Sequence, residues 1–319
     1  DSLWYLYNLT EEEYWKSLAE KYTEALEKMQ YNTSHHDVGF IIGCSYMNGI
    51  RMGGEEKYKP VVVQAAKSLS TRFRPVAGVI QSWNTQKGWQ SERGWKCPVI
   101  IDNMMNLELL FEATRLSGDS TFYNIAVSHA DKTLKNHFRK DGSSYHVVDY
   151  DPETGEVRSR STAQGYADES AWARGQAWVI YGYTMCYRYT HNPAYLKQAE
   201  RTYDFIFTHT NMPEDLVPYW DYDALNIPNE PRDVSSAAIT ASALYELSSA
   251  TRYAGYKETA DLIMASLASS AYRAELGDNQ GFLLMHSVGS IPHGNEIDVP
   301  LNYADYYFLE ALKRKRDME

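Results

Sequence analysis

Apolar residues recur at steps of three and four along most of the chain, and the strict alternation that marks strands is scarce. Some segments carry a single apolar stripe, which predicts helices with one solvent-facing side. These striped segments are 55–73, 119–138, 193–210 and 256–272. Other segments are apolar on nearly every side, which predicts helices that are covered by protein. The covered segments are 38–52, 100–116, 170–189, 235–250 and 299–312.

Covered and striped helices alternate along the chain. Each covered segment except the last precedes a striped one, and the resulting hairpins recur at about 60–70 residues as a loose internal repeat. The alternation predicts an all-α fold, an (α/α)6 barrel of six hairpins in which 11–30 is an early outer helix. We expect one catalytic domain over residues 1–319. A right-handed solenoid of helix pairs is the alternative, but the C-terminal helix around 306–309 is too apolar for the polar cap that a solenoid needs.

The connections between these helices are unequal in length. Turns from a covered helix to the following striped helix are short, whereas the connections in the other direction are long: 74–99, 139–167, 211–233 and 273–297. Long loops inside a compact domain usually carry function. In a barrel of hairpins these loops would all lie on the rim where the covered helices begin, and we expect the active site on that rim.

The same rim would carry five aspartates: Asp37, Asp102, Asp168, Asp233 and Asp298. Helix N-capping is the ordinary role of an Asp before an apolar run, and we interpret Asp233 and Asp298 as caps. Asp37 and Asp102 differ in their neighbours, since Asp37 follows two histidines and Asp102 precedes two asparagines in an otherwise apolar helix. Buried polar groups need partners, so these two positions indicate a functional site.

A loop with Trp83, Trp89 and Trp95 lies between Asp37 and Asp102. Carboxyl groups transfer protons and aromatic faces hold sugar rings, so a carboxylate pair beside indoles is typical of proteins that act on sugars. A helix N-terminus lowers the pKa of a carboxyl group, whereas a second carboxylate and burial by tryptophans raise it. We therefore expect the two aspartates to act as a coupled pair, with simple capping as the alternative.

A further group of candidates surrounds the predicted helix that follows the second long loop. Arg174 and Trp178 are four residues apart and so share one face of this helix. A guanidinium can bind a sugar carboxylate while an indole packs on the ring, although a structural cation–π pair fits the same spacing. His146 and Gln164, on the loop before the helix, are further candidates for ligand contact.

Composition narrows the classes of partner. The chain has 31 basic and 42 acidic residues, a net charge of −11 that disfavours nucleic acids and anionic membranes. No apolar run is long enough for a membrane span, and the N-terminus lacks a signal-peptide pattern. Cys44, Cys97 and Cys186 have neither disulfide nor zinc spacing, and nucleotide-binding motifs are absent. We expect no cofactor and no metal.

The chain resembles glycoside hydrolase family 88, the unsaturated glucuronyl hydrolases, in motifs that run in order from about residue 36 to residue 311. The matching motifs are His36-Asp37-Val38-Gly39-Phe40, Ile80-Gln81-Ser82-Trp83, Ile101-Asp102-Asn103-Met104-Met105-Asn106-Leu107, Tyr145-His146, Ala163-Gln164-Gly165, Trp172-Ala173-Arg174-Gly175-Gln176-Ala177-Trp178 and Asp305-Tyr306-Tyr307. Singly these motifs are unspecific, but as an ordered set they are specific.

The resemblance implies an (α/α)6 barrel and an exo-acting hydrolase. Its substrate would be an oligosaccharide that a polysaccharide lyase has released, from a glycosaminoglycan or a similar polymer, with a 4,5-unsaturated uronic acid at the non-reducing end. The implied reaction is hydration of the C4=C5 vinyl ether. Asp102 would be the general acid and base of this reaction, and Asp37 would assist it.

The resemblance also implies a set of substrate-binding residues, with Trp83 stacking on the neighbouring sugar. They are His36, Trp83, His146, Gln164, Trp172, Arg174, Trp178, Ser287 and Ser290. The two serines resemble a Ser-x-x-Ser element that the family links to sulfate recognition. Some members have a lysine two residues later, where this chain has Pro292, and this difference weakens the expectation of a sulfated substrate.

Two alternatives to this function remain at the level of sequence. One is an unsaturated rhamnogalacturonyl hydrolase, with the same barrel and chemistry but pectin fragments as substrates. The other is a non-catalytic carbohydrate-binding toroid, which would keep the aromatic residues but would have no need for a carboxylate pair. The resemblance implies a bacterial protein, and both the periplasm and the cytoplasm are open as its location.

Overall fold

The computed structural model describes residues 2–319, and helices supply most of its regular structure. The α-helices are α1 (Ser2–Thr10), α2 (Glu13–Glu24), α3 (Val38–Ile42), α4 (Lys59–Ser70), α5 (Trp89–Glu92), α6 (Leu107–Ser117), α7 (Ser120–Asn136), α8 (Ala173–Thr190), α9 (Pro193–Thr208), α10 (Val234–Thr251), α11 (Ala254–Ala268) and α12 (Asn302–Met318). Short 3-10 helices cover Glu27–Tyr31, Glu56–Tyr58, Ile101–Asn106 and Asn279–Gly281, and π-helical turns cover Gly43–Met47 and Gly49–Gly53. Every helix that the apolar pattern predicted is confirmed, whereas α1 and α5 were not predicted.

Short strands occupy the long connections. They are β1 (Phe73–Arg74), β2 (Val79–Ile80), β3 (Cys97–Ile100), β4 (Val147–Tyr150), β5 (Val157–Ser161), β6 (Ser287–Ser290) and β7 (Asn295–Val299). They form a β1–β2 ribbon, a sheet in the order β3–β4–β5, and a β6–β7 ribbon. The antiparallel β3–β4 pair sets Cys97 opposite Tyr150 and Ile100 opposite Val147. Strands this short carry too few residues for a period-of-two pattern, so the sequence did not reveal them.

The chain divides into two compact units. The first consists of Asp1–His137 and Val147–Arg160, and the second of Phe138–His146 and Ser161–Glu319. A single domain over residues 1–319 therefore stays a prediction.

In the first unit α6 packs on α7 and on α4, and α3 packs on α4. The predicted helix 38–52 is α3 followed by two π-helical turns. A glycine is required within these turns because a Cβ atom on Gly49 would lie 2.7 Å from the Tyr58 ring. The wider turns thus bring this stretch of backbone against an aromatic side chain.

In the second unit α10 packs between α8 and α12, while α9 covers α8 and α11 covers α10. Most of α8 and α10 is buried, as the apolar-all-round pattern predicted. The many Ala and Ser side chains of α10 allow its neighbours to approach closely. These covered helices begin near the connections that hold the second group of candidate residues.

The N-termini of the helices show which of the aspartates act as caps. The Asp233 side chain accepts a hydrogen bond from the Ser235 amide at 3.2 Å at the start of α10, so the predicted cap is confirmed. Asp298 is not a cap: it lies in β7, ahead of α12, with its carboxylate 2.6 Å from Nδ1 of His286. Asp102 lies inside the 3-10 helix rather than at a cap, and Asp37 precedes α3 without making a capping hydrogen bond.

Candidate active site

Asp37 and Asp102 lie on two segments of the first unit that pack directly on each other. Asn106, at the end of the 3-10 helix that carries Asp102, accepts a hydrogen bond from the Phe40 amide of α3 through Oδ1 at 2.8 Å. Gly39 permits this approach, because a Cβ atom there would lie 2.4 Å from Asn106 Oδ1 and 2.6 Å from Asn106 Cα. A side chain at position 39 would therefore push the two segments apart.

A buried polar network connects the neighbours of the two aspartates. Nδ2 of Asn106 lies 3.2 Å from Nδ1 of His36, the residue before Asp37. Asn103, the residue after Asp102, donates to the Ile80 carbonyl at 2.7 Å. Ser82 connects both sides, because its carbonyl accepts from the His36 amide at 3.2 Å and its hydroxyl from the Ile100 amide at 3.0 Å. The network fixes the backbone on either side of both carboxyl groups.

The surroundings of Asp37 favour its ionised form. Its Oδ1 lies 3.3 Å from Nε2 of His36 and its Oδ2 lies 3.4 Å from Nδ1 of His35. Burial alone would raise the pKa of the Asp37 carboxyl, but His36, His35 and Arg72 outweigh it and lower that pKa to about 2. The side chain nevertheless keeps 45% of its surface exposed. The expectation that a second carboxylate would raise the pKa of the pair is therefore wrong for Asp37, because the cationic and hydrogen-bonding neighbours dominate.

His36 lies between opposing influences on its pKa. Full burial lowers its pKa in spite of the adjacent Asp37. Because Asn106 Nδ2 faces Nδ1, we assign the ring proton to Nε2, which faces Asp37. A further positive charge near Asp37 comes from Arg72, a buried residue that donates to the carbonyls of Thr33 and Gln81 at 2.7 Å each.

The tryptophans of the intervening loop form one aromatic cluster. The Trp83 ring lies 5.1 Å from the Trp89 ring in an edge-on arrangement and 5.8 Å from the Trp95 ring in a stacked one. Trp83 follows Ser82 directly, so the cluster begins beside the polar network of the two aspartates. Trp83 and Trp89 are partly exposed and Trp95 is buried.

The second unit gathers the other predicted residues. Nδ1 of His146 accepts from the amides of Ala163 and Gln164 at 3.1 and 3.2 Å, which places the ring proton on Nε2. The His146 ring packs on Trp172 with 4.6 Å between centroids. Gln164 donates from Nε2 to the Gly289 carbonyl at 3.1 Å. His146, Gln164 and Trp172 thus lie around one another and reach β6.

Arg174 is buried and its guanidinium holds β6. It donates to the Gly289 carbonyl at 2.7 Å and to the Val288 carbonyl, and it pairs with the Asp233 carboxylate at 3.1 Å. Asp233 in turn accepts from the Val288 amide at 3.3 Å. This clamp on the strand is a role of Arg174 and Asp233 that the sequence did not predict. For Asp233 the sequence indicated only capping.

The cation–π partners of Arg174 include residues that the sequence did not pair with it. Its guanidinium lies 4.5 Å from the Trp172 ring and 5.3 Å from the Tyr303 ring. Trp178 is buried one turn further along α8 and packs edge-on against Tyr307 of α12 at 5.4 Å. Trp178 therefore belongs to the packing between α8 and α12.

Ser287 and Ser290 lie at the two ends of β6, the strand that Arg174 holds. Both residues are buried, and the Ser290 hydroxyl lies 2.7 Å from Nδ1 of His293. Within residues 2–319 no group of three or more His, Cys, Asp or Glu side chains could hold a metal ion. Over the same residues no helix is both long and apolar enough to cross a membrane.

Sequence reasoning missed Arg72, Ser82 and Tyr303. Ser82 lies within a motif that the sequence singled out for its tryptophan, and its hydroxyl acts on residues 18 and 21 positions away. Arg72 lies at the end of a striped helix, where a charged residue is ordinary. Only the fold shows that its guanidinium points inward.

Comparison with known proteins gives one consistent result. The family model described as Glycosyl Hydrolase Family 88 matches residues 1–310. The chain is 47% identical to an unsaturated glucuronyl hydrolase of Formosa agariphila, over 99% of this chain and 78% of that protein. It is 34% identical to an unsaturated glucuronyl hydrolase of a Bacillus species, over 98% of this chain and 83% of that protein.

Solved structures agree with the sequence comparisons. An unsaturated glucuronyl hydrolase specific for heparin superimposes with a TM-score of 0.94 at 45% identity, over 99% of this chain and 84% of that one. A variant of the Streptococcus agalactiae enzyme in complex with dGlcA-GalNAc6S gives a TM-score of 0.80 at 30% identity, over 98% of this chain and 78% of that one. The likeness confirms the predicted fold class, an all-α protein of the α/α-barrel type.

Proposed function

Because the chain belongs to Glycosyl Hydrolase Family 88, we propose that it removes a 4,5-unsaturated uronic acid from the non-reducing end of lyase-generated oligosaccharides. Membership in this family makes the chain a glycoside hydrolase of the unsaturated glucuronyl hydrolase type. It therefore disfavours the alternative of a non-catalytic binding toroid. The observation that carries the proposal is the buried network of His36, Asn106, Asn103 and Ser82, which joins the segments of Asp37 and Asp102.

The proposed reaction is hydration of the C4=C5 vinyl ether. The Asp102 carboxylic acid donates its proton to C4, and positive charge develops at C5 and on the ring oxygen. The Asp102 carboxylate then accepts a proton from a water molecule as that water attacks C5. The product is a hemiketal at C5, which opens and releases the next sugar. The overall reaction consumes one molecule of water.

Asp37 takes the supporting role in this scheme. Its pKa of about 2 keeps it ionised at any ordinary working pH, so it is unsuited to donate the proton. A fixed carboxylate stabilises the positive charge that develops at C5 and the ring oxygen. It also favours the protonated form of a neighbouring carboxyl group such as Asp102.

The remaining residues would bind the unsaturated uronate. His146 would donate a hydrogen bond from Nε2, with Gln164 and Trp172 beside it, and His36 is also proposed as a substrate-binding residue. Trp83 would stack on the following sugar. Arg174 would act through its hold on β6, which positions Ser287 and Ser290, and Trp178 would support this group from α8.

We propose glycosaminoglycan fragments as the substrate class. The relatives that support this are named for heparin and for chondroitin disaccharides. They come from bacteria, and we propose the periplasm or the cytoplasm of a bacterium as the place of action. Pectin fragments are the alternative substrate, and a direct comparison of rates separates the two.

The test follows the ultraviolet absorbance of unsaturated disaccharides from chondroitin, hyaluronan, heparin and pectin, because hydration removes the conjugated double bond. We expect loss of absorbance with at least one glycosaminoglycan disaccharide. Asp102→Asn is expected to lower kcat by a factor of about 10²–10⁴. The matched control is Asp298→Asn, which changes an aspartate of β7 in the other unit and should keep the wild-type rate. Wild-type turnover by Asp102→Asn would refute the proposed mechanism.

A further inference from the structure

The segment Trp83–Lys96, here called the tryptophan loop, contains a cation held by aromatic rings. The guanidinium carbon of Arg93 lies 5.9 Å from the Trp89 ring and 5.4 Å from the Trp95 ring. These two indoles also contact Trp83, which begins the loop. Contact with two rings restricts the freedom of the Arg93 side chain.

Arg93 has no carboxylate partner within residues 2–319, in contrast to Lys96 and Arg158. Lys96 pairs with Asp151 at 2.7 Å, and Arg158 pairs with the buried Asp149. Arg93 makes no ion pair, and its surface is exposed. In a chain of net charge −11 this is an unneutralised positive charge on an aromatic surface.

The C-terminal end of the tryptophan loop is fixed by hydrogen bonds. Arg158 donates to the Gly94 carbonyl at 3.1 Å, and Asp149 accepts from the amides of Lys96 and Cys97 at 2.9 and 2.8 Å. Gly94 has φ +66°, a left-handed conformation that lets the chain turn directly after Arg93. Arg93 therefore stands next to a fixed point of the backbone.

The other end of the loop joins the candidate active site. Ser82, the residue before the loop, belongs to the network that also contains His36 and Asn103. A series of contacts runs from this network through Ser82 to the adjacent Trp83, then to Trp89, and then to Arg93. A sugar chain that leaves the catalytic carboxylates over Trp83 would reach Arg93 with its later groups.

We propose that Arg93, held between Trp89 and Trp95, binds an oxyanion on the sugars that follow the cleaved bond and so favours anionic over neutral oligosaccharides. The planar guanidinium donates two parallel hydrogen bonds to a sulfate ester or to a carboxylate, while the indoles pack on the sugar. The inference rests on the proposed function for the direction of the substrate. It adds a determinant of specificity outside the carboxylate pair and outside the residues of the second unit.

The test measures kcat/KM for three unsaturated substrates: an unsulfated disaccharide, the same disaccharide with a sulfate on its second sugar, and an unsulfated tetrasaccharide with a carboxylate on its third sugar. In Arg93→Gln we expect the ratio of an anionic substrate to the unsulfated disaccharide to fall about tenfold. A fall with the sulfated disaccharide identifies sulfate as the ligand, and a fall only with the tetrasaccharide identifies the carboxylate. Because ratios are compared, a change in the fraction of folded enzyme does not affect the result.

Lys87→Gln is the matched control, since it removes a charge of the same sign from the same loop. We expect the Lys87→Gln ratios to stay within about twofold of wild type, because exposed charges without a fixed geometry contribute little. An unchanged ratio in Arg93→Gln would overturn the proposal. An equal fall in Lys87→Gln would overturn it too, because the loop would then attract anions only by its total charge.

A binding measurement tests the role of Arg93 independently of the proposed enzymatic activity. If the wild-type enzyme consumed no unsaturated substrate, the function would fail, and Arg93 would be judged by tryptophan fluorescence titration with saturated sulfated and desulfated oligosaccharides. We expect wild type to prefer the sulfated ligand and Arg93→Gln to lose that preference. Equal preference in both proteins would refute the role of Arg93 without reference to catalysis.

Discussion

Asp37 lies between two imidazole rings near a buried guanidinium, and this setting favours its ionised form. Its pKa of about 2 arises because His36, His35 and Arg72 outweigh the effect of burial. A lone aspartate at a helix start would have no such partners. The ionisation of Asp37 is therefore a property of its neighbours.

The substitution Asp37→Asn tests the role of the Asp37 charge in the reaction. We expect kcat to fall by a factor of about 10²–10³, because a fixed charge that stabilises the transition state is lost. The like charge that favours protonated Asp102 is lost as well, so the alkaline limb of the pH profile of kcat/KM should move to lower pH. The measurement is the absorbance assay between pH 4 and pH 9. An alkaline limb that stayed in place would show that the carboxyl groups do not influence each other.

At the scale of secondary-structure elements, contacts between segments fix the positions of the candidate site residues. Gly39 brings α3 against Asn106 in the first unit, and Arg174 with Asp233 grips β6 in the second. Each contact joins a helix to a segment that carries candidate site residues. A change in such a contact should alter the site without touching a reacting group.

Gly39→Ala should separate α3 from the 3-10 helix of Asp102. The new methyl group would meet Asn106 backbone at 2.6 Å, so we expect a loss of about 1–3 kcal/mol in the free energy of unfolding and a lower kcat. Gly43→Ala is the control, because its nearest neighbour is the Met47 sulfur at 3.9 Å. Urea denaturation and the absorbance assay measure both effects. Equal stability of the two variants would contradict the close packing.

Arg174→Lys should loosen β6. Lysine keeps the charge but lacks the fork that reaches Asp233 and the Gly289 carbonyl together. We expect a loss of about 1–3 kcal/mol in the free energy of unfolding, because a buried acceptor is left without its donor. Hydrogen exchange should be faster at the Val288 amide than in wild type. Unchanged exchange at Val288 would show that the clamp does not hold the strand.

Across the whole molecule, buried histidines govern the response to acid. His129 and His137 are fully buried on α7, and burial lowers their pKa values to about 3 and about 4. In the unfolded chain these rings titrate near 6.5. Between these values the unfolded state binds protons that the folded state does not, so stability falls as the pH falls below 6.5. Asp37 loses its own contribution only lower, between its ordinary pKa of 3.8 and about 2.

The size of this acid effect can be measured with His129→Gln. From pH 7 to pH 5, His129 alone should account for a loss of about 2 kcal/mol in the free energy of unfolding. Buried carboxyls with raised pKa values, such as Asp221 and Asp305, act in the opposite direction. The test is therefore the difference between wild type and His129→Gln, measured by urea denaturation at both pH values. Parallel losses in the two proteins would contradict the assignment.

The sequence alone determined the helices, the two functional aspartates as candidates and the family. Helical periodicity is local, since contacts at three and four residues fix which face is apolar, and the motifs of the family are short and ordered. Short strands such as β6 escaped this reasoning because they are held by distant partners. The capping role of Asp298 was wrong because the β6–β7 ribbon takes up the residues before α12.

Only the tertiary structure decided what surrounds each candidate. The contact of His36 with Asn106 spans 70 residues and that of Arg174 with Gly289 spans 115. No local pattern encodes such pairs, and they fix the orientation of His36 beside Asp37 and the hold of Arg174 on β6. The sequence determines which chemical groups are available, whereas burial and long-range hydrogen bonds determine their charge, orientation and partners.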